Sequence, residues 1–266
     1  MDIRRILLTG DDGYNAIGTR LLVHFLKHEY QLFITGTKNQ QSGVGGTKTL
    51  KKELAWGEDT VDGVRAIWID GTPVDSIECA KEYYKQSFDL VLSGINLGLN
   101  VSGSLISSGT FSAAFHAINL GIAPRAIAMS LEVPANNFRK KHKKSEDIRM
   151  FYEYPGRQAY AVFKKALQHD MWGGSILNIN FPIKRTGDVV FTDCMETMYG
   201  LWPVSVLDKK THTHVSPMQT PTKEIASVDT DVSAIEEGKI SITPCQSTML
   251  DAGVYDRIKR VKFSLG

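Results

Sequence analysis

Cysteine is scarce in this 266-residue chain: Cys79, Cys194 and Cys245 are odd in number, far apart and in no metal-ligand spacing. That excludes a disulfide scaffold and a structural zinc site, and it fits idle thiols in a reducing compartment. Long apolar runs are missing too, since none approaches the ~18 residues of a membrane span. The arginines at positions 4 and 5 precede only a short apolar stretch closed by Gly10-Asp11-Asp12. No export signal is read there, and the expectation is a cytoplasmic protein without a membrane partner. Charge of one sign is not in excess: Lys+Arg 31 against Asp+Glu 29 leaves +2. Such a balance gives no global field for nucleic acid or an anionic membrane, so no stable nucleic-acid partner is expected and any anionic ligand must be held locally. Neither a P-loop GxxxxGK[ST] nor a GxGxxG fingerprint after the first strand occurs, and the missing glycine fingerprint weighs against a dinucleotide-dependent oxidoreductase.

What is present is an ordinary globular composition, 42% apolar and 23% charged, in a length that suits one large α/β domain with an attachment or two domains at most. Short β-rich runs alternate with segments of helical period, the pattern of parallel strands joined by crossover helices. Strands are expected over 6–9, 31–35, 66–69, 89–92, 126–131 and 176–181, and helices over 18–30, 75–84, 110–120 and 158–169. This is a doubly wound, mainly parallel sheet. The basic run Arg139-Lys140-Lys141-His142-Lys143-Lys144 lacks aromatic interleaving and is read as a solvated loop. Strand-like runs over 189–192 and 199–206 suggest a projecting hairpin region across 188–218, and 239–243 is one more strand. The division expected is a core over 1–182 and a hairpin with C-terminal segment over 183–266.

In an open parallel sheet, ligands bind outside the carboxyl ends of the strands where strand order reverses, and three loops there are unusual. The first, Thr9-Gly10-Asp11-Asp12-Gly13-Tyr14-Asn15, places two adjacent carboxylates at the end of the first strand. Hard divalent cations prefer such oxygens, although Asp-Asp-Gly is also an ordinary turn. The second, Lys38-Asn39-Gln40-Gln41-Ser42-Gly43-Val44-Gly45-Gly46, offers neutral oxygens and backbone N–H groups or is simply a flexible connection. The third runs from Ser93-Gly94-Ile95-Asn96-Leu97-Gly98-Leu99-Asn100 to Ser107-Ser108-Gly109-Thr110 at an expected helix start. Its hydroxyls and helix N–H groups can cradle phosphate, while Ser108 as a plain helix cap is the alternative. None of the seven histidines falls in these loops: His212 and His214 suit a surface hairpin, and His24 and His116 sit within expected helices.

These segments carry a resemblance. Ile6-Leu7-Leu8-Thr9-x-Asp11-Asp12-Gly13-Tyr14, Gln41-Ser42-Gly43, Gly71-Thr72-Pro73-x-Asp75, Ser93-Gly94-Ile95-Asn96-x-Gly98-x-Asn100 and Ser108-Gly109-Thr110 occur in the order and spacing of the SurE (stationary-phase survival) family. Leu177-Asn178-x-Asn180-Phe181-Pro182, Thr230-Asp231 and Ile240-Ser241-Ile242-Thr243-Pro244 resemble its C-terminal landmarks, so the likeness covers nearly the whole chain.

The resemblance implies a divalent-metal-dependent acid phosphatase that hydrolyses nucleoside 5′- and 3′-monophosphates, with activity on short polyphosphate. It also implies a Rossmann-like three-layer α/β sandwich with a protruding β-hairpin and an exchanged C-terminal segment, assembled as a homodimer or homotetramer. By the same resemblance one Mg²⁺ or Mn²⁺ ion per subunit is held by Asp11, Asp12, Ser42 and Asn96. Asp11 and Asp12 serve catalysis, and Asn96 with Ser107, Ser108, Gly109 and Thr110 meets the phosphate. Three positions depart from the family pattern: Gly10 stands where the family has Asn, Lys38-Asn39-Gln40-Gln41 replaces Asp-Arg-Asn-x, and Ser107 replaces a tyrosine. A nucleotide- or phosphate-binding protein of the same fold with weak turnover is the alternative that Gly10 raises.

Overall fold

The computed structural model describes residues 2–134, 142–169, 171–172, 174–194, 206–215, 229–248, 256–257 and 259–260. Residues 139–141 of the basic run, the strand-like run over 199–205 and most of the chain beyond 248 lie outside these.

Eleven strands and five α-helices follow one another in the described residues: β1 (Arg5–Thr9), α1 (Ile17–Leu26), β2 (Gln31–Thr37), β3 (Trp56–Val61), β4 (Val64–Ile69), α2 (Pro73–Tyr84), β5 (Leu90–Leu97), α3 (Gly109–Asn119), β6 (Ala126–Leu131), α4 (Arg157–His169), β7 (Ile176–Phe181), β8 (Val189–Phe191), β9 (Val206–Asp208), β10 (Thr213–Val215), α5 (Asp231–Glu236) and β11 (Ile240–Cys245). Nine strands form one sheet in the order β3-β4-β2-β1-β5-β6-β7-β11-β8. The pairs from β4 through β2, β1, β5 and β6 to β7 are parallel, while β3 on β4 and β11 on β7 are antiparallel.

Alternation along β1 builds the layers. Ile6 and Leu8 enter a core with Leu21 and Leu22 of α1 and Val162 and Phe163 of α4. Leu7 points the other way, into a core with Ile77 and Ala80 of α2 and Ala113, Ala114 and Ala117 of α3. A sheet buried on both faces requires near-continuous apolar strands, and β5 and β6 are buried at every position. The expected mainly parallel α/β sandwich is therefore present, with helices on both faces.

Three details differ from the sequence reading. Helix α1 stops at Leu26 rather than at 30, because the N–H groups of Glu29 and Tyr30 both turn back to the Leu26 carbonyl at 3.0 Å. Strand β3 was not read, although Asp62-Gly63, both at positive φ, is the pair a two-residue hairpin turn demands. Residues 189–191 do not belong to a projecting hairpin: β8 lies parallel to β11 at the edge of the main sheet. Among the described residues only β9 and β10 pair separately, as an antiparallel ribbon.

The chain leaves β1 toward β2 and β4 on one side, then returns to β5, β6 and β7 on the other. Adjacent β1 and β5 thus send their carboxyl-end connections in opposite directions, and a crevice opens between them.

Candidate active site

Asp11 and Asp12 follow β1 directly, and Asn96 lies near the end of β5, so all three reach the crevice. The approach of Asn96 depends on a bulge. The β5–β6 register shifts between Ser93 and Asn96, and Gly94 occupies φ +115°, where a Cβ would sit 2.3 Å from the Met129 carbonyl oxygen. Only glycine fits, and the extra residue re-aims the side chains that follow it. A small cavity results, lined by Asp11, Asp12, Asn96, Gly94 and the first turn of α1 at Ala16 and Thr19.

Both carboxylates are buried, at 4% and 6% exposure. Asp11 Oδ1 accepts a hydrogen bond from Thr110 Oγ1. Asp12 Oδ2 accepts from the Leu97 N–H at 2.9 Å, and its Oδ1 receives the Gln40 amide at 3.4 Å. That same amide nitrogen donates to Ser42 Oγ at 3.1 Å, which joins the second loop to the pair. The Asn96 amide donates to the Gly98 carbonyl at 2.7 Å, leaving its Oδ1 buried with no hydrogen-bond partner. Burial raises the pKa of Asp11, against the pull of the Thr110 bond. Burial raises Asp12 as well, and the neighbouring Asp11 charge adds to it.

The donor set suits a hard divalent cation: two adjacent carboxylates to balance its charge, a serine oxygen and an orphaned amide oxygen, with no soft ligand. Among the described residues no three His, Cys, Asp or Glu side chains form a metal cluster, so neutral oxygens must complete any cation shell here. The Gln40 N–H group, bearing a partial positive charge between Asp12 and Ser42, marks where positive charge is favoured.

Helix α3 begins against this pair. Ser108 caps it, accepting the Phe111 N–H at 3.0 Å, and Gly109 packs so closely that a Cβ would lie 2.7 Å from Asp11 Cβ. Thr110 is fixed from behind, its carbonyl accepting the Ser93 hydroxyl at 2.7 Å. Ser107 stands apart: its hydroxyl donates to the Ser104 carbonyl at 3.0 Å, and its own carbonyl accepts the Gly45 N–H at 2.9 Å. The structure therefore brings Asp11, Asp12, Asn96 and Thr110 into contact range of one crevice, attaches Ser42 through Gln40, sets Ser108 and Gly109 at the helix start, and turns the Ser107 hydroxyl onto its own turn.

Sequence reasoning missed several supports. The Leu97 N–H carries no side-chain signal at all. Gln40, a neutral residue in a loop of neutral residues, has nothing in the sequence to mark it as the bridge between Asp12 and Ser42. Asn178 and Asn180 were recognised only as landmarks, yet both donate to the Asn100 carbonyl, at 2.8 and 2.9 Å, and Asn180 Oδ1 accepts the Asn100 N–H. Two polar residues interrupting an apolar strand at i and i+2 were the signal for a buried clamp on the loop that follows β5. Two histidines lie elsewhere, His24 stacked on Tyr152 and His116 paired with Glu78, whereas His142 Nδ1 accepts the Ile17 N–H at 3.4 Å at the first turn of α1.

Comparison with known proteins gives one family. A family model described as "Survival protein SurE" matches residues 6–200. The "5'-nucleotidase SurE" of Archaeoglobus fulgidus is 30% identical, with 96% of each chain covered. The protein of that description from Thermococcus gammatolerans is 32% identical over 97% of this chain and 96% of its own length. That of Campylobacter jejuni strain RM1221 is 30% identical over 98% and 97%. Among solved structures, the SurE protein from Aquifex aeolicus superposes with a TM-score of 0.72 at 24% identity, covering 96% of this chain and 98% of that one. This last likeness supports the fold.

Proposed function

This chain belongs to the SurE family, and on that premise we propose that it is a divalent-metal-dependent phosphatase. It hydrolyses nucleoside 5′- and 3′-monophosphates to nucleoside and phosphate, with short polyphosphate as a further substrate. The observation that carries this reading is the juxtaposition of the buried Asp11-Asp12 pair and the orphaned Asn96 Oδ1 with the hydroxyl-capped start of α3. A nucleotidase description shared by relatives that match almost the full chain supports the substrate class.

Asp11, Asp12, Ser42 and Asn96 would hold one Mg²⁺ or Mn²⁺ ion. When bound, the ion supplies Lewis-acid polarisation of the phosphate and acidifies a water molecule. The chain's own residues supply the rest. Asp11, aimed by Thr110, and Asp12, aimed by the Leu97 N–H, orient the attacking water from fixed positions. The Ser108 hydroxyl and the backbone N–H groups of Gly109 and Thr110, at the positive end of α3, meet the phosphate oxygens and the charge that grows on them, the Ser108 N–H being taken by the Leu105 carbonyl at 3.2 Å. The Ser107 backbone ties the Ser42 loop to this edge. In-line attack on phosphorus would release the nucleoside as its alkoxide, so no covalent phosphoenzyme is needed. The portion over 183–266 serves homodimer or homotetramer assembly in this reading, and the three scattered thiols fit a cytoplasmic setting.

Gly10 favours one competing reading, a binder of the same fold with little turnover, because no side chain reaches toward the phosphate from that position. Phosphate release from a panel of 5′- and 3′-nucleoside monophosphates, with Mg²⁺ or Mn²⁺ and with a chelator, separates the two. Release that needs both the metal and Asp12, tested with Asp12→Asn, is the expected result. Metal and nucleotide binding without release would assign the chain to the binder, and chelator-resistant release would overturn the metal-dependent scheme.

A further inference from the structure

Between β2 and β3, residues 38–55 form no regular structure, yet Ser42 within them must hold one position beside Asp12. A segment of that length needs external ties to stay ordered. Its near end is held by the Gln41 N–H donating to the Asp11 carbonyl at 2.7 Å, and its middle by Gly45 on Ser107. The far end is held by α2. Asp75, 5% exposed, accepts the Thr49 N–H at 3.0 Å on Oδ1 and the Thr49 hydroxyl at 2.7 Å on Oδ2. Thr72 Oγ1 donates to the Thr47 carbonyl at 2.6 Å.

A helix cap does not require these bonds. The capping box of α2 is complete with the Asp75 N–H on Thr72 Oγ1 and the Thr72 N–H on Asp75 Oδ2. The Thr49 and Thr47 contacts are additional, and both end on the loop that carries Ser42. Helix α2 can bear the load: Ile77 and Ala80 are fully buried, and the Thr35 hydroxyl fixes its first turn through the Ser76 carbonyl at 2.8 Å. That turn also abuts the start of α3, since a Cβ on Gly109 would lie 3.0 Å from Pro73 Cγ.

We propose that Asp75 and Thr49 form a clamp that positions the Ser42 loop for the metal, with the first turn of α2 as the common abutment of the metal side and the phosphate side of the site. Asp75 is thus a positioning residue acting through Thr49, not a catalytic one. The inference rests on Ser42 being a metal ligand, so the experiment separates the two ideas.

Thr49→Ala removes the hydroxyl donor from a half-buried position and leaves the capping box intact, while Thr49→Ser keeps the donor. Hydrogen exchange of the amides over 43–46 in the metal-free protein reads loop order directly, and a Mn²⁺ titration reads affinity. For Thr49→Ala we expect exchange there about tenfold faster and a Mn²⁺ Kd about tenfold higher, the scale of one lost hydrogen bond. Phosphate release at saturating Mn²⁺ should stay within about twofold, and Thr49→Ser should restore wild-type values. Unchanged exchange in Thr49→Ala would overturn the clamp, as would faster exchange with an unaltered Kd while Ser42→Ala weakens Mn²⁺ binding. An unaltered Kd in Ser42→Ala itself would instead remove the ligand role of Ser42 on which the clamp depends.

Discussion

Adding a single methyl group at Gly109 tests how tightly the two sides of the site are packed. An ideal Cβ there lies 2.7 Å from Asp11 Cβ, 2.9 Å from Asp11 Oδ2 and 3.0 Å from Pro73 Cγ. Carbon atoms do not approach that closely, so something must move. Pro73 opens α2 and is buried, at one with the helix behind it; the softer element is the Asp11 side chain, whose bond to Thr110 would break. Two effects compete in Gly109→Ala. Alanine is the better helix former by up to about 1 kcal/mol, whereas overpacking of a rigid site costs about 1–3 kcal/mol. The clash wins, because helix propensity matters least at a first helical turn already fixed by a cap. For a chain of this size the net loss lowers Tm by roughly 2–6 °C. Activity should suffer more, since displacing an aligned group by about 1 Å costs on the order of 100-fold. Thermal scanning and phosphate release with Mg²⁺ measure both. Gly46→Ala is the matched control, with its nearest neighbour, Ser112 Oγ, at 3.7 Å and no left-handed backbone, and it should be silent. A Gly109→Ala protein with wild-type Tm and wild-type kcat/KM would refute the packing argument.

Three further outcomes are expected. Gly10→Asn should fold with Tm within about 2 °C of the parent, because a Cβ there meets only the Gly94 backbone at 3.5 Å; a new amide donor to a charged phosphate should raise kcat/KM by about tenfold, and a fall in kcat/KM with Tm intact would count against a phosphate contact from that position. Asp11 and Asp12 are raised to about 6 and about 7, so between the unfolded value of 3.8 and those values the native state binds more protons than the unfolded chain. Metal-free stability should therefore fall as pH rises from about 4 to about 7 and level off above, while the Tm gain from added Mg²⁺ should be larger at pH 8 than at pH 5; equal gains at both would contradict cation binding by this pair. Asn180→Leu leaves the buried Asn100 N–H without its acceptor and its carbonyl with one donor fewer, and urea denaturation should show a loss of about 2–4 kcal/mol.

The readable part of this molecule is the part whose signal is local. Parallel strands buried on both faces appear as apolar runs, and the Ile6-Leu7-Leu8 alternation between two helical layers follows from period two alone. The carboxylate pair was readable for a similar reason: adjacent charges at the end of an apolar strand have no structural use in a sheet. Elements defined by partners were not. Strand β3 is half-exposed and weakly apolar, so only its Asp62-Gly63 turn announced it. Strand β8 was placed in a hairpin because three residues carry no information about which edge they join.

The same distinction explains the site. Residue types suited to metal and phosphate were visible as loops, but what makes them a site is supplied by groups without a sequence signature, such as the Leu97 N–H on Asp12 and the bulge at Gly94 that delivers Asn96. These two supports lie within β5 itself, others reach the loop after it from β7 through Asn178 and Asn180, and Gln40 comes from the loop after β2. A topological switch point dictates this: β1 and β5 are adjacent in space but 80 residues apart, so every contact across the crevice is long-range. Asp12 to Leu97 spans 85 positions and Thr110 to Asp11 spans 99. Such contacts form only once the sheet is assembled. Substitutions that leave the loops unchanged but loosen their long-range ties, at Asn180 or Thr49, should therefore impair the site in proportion to the order they remove from the loops, without touching any group that meets substrate.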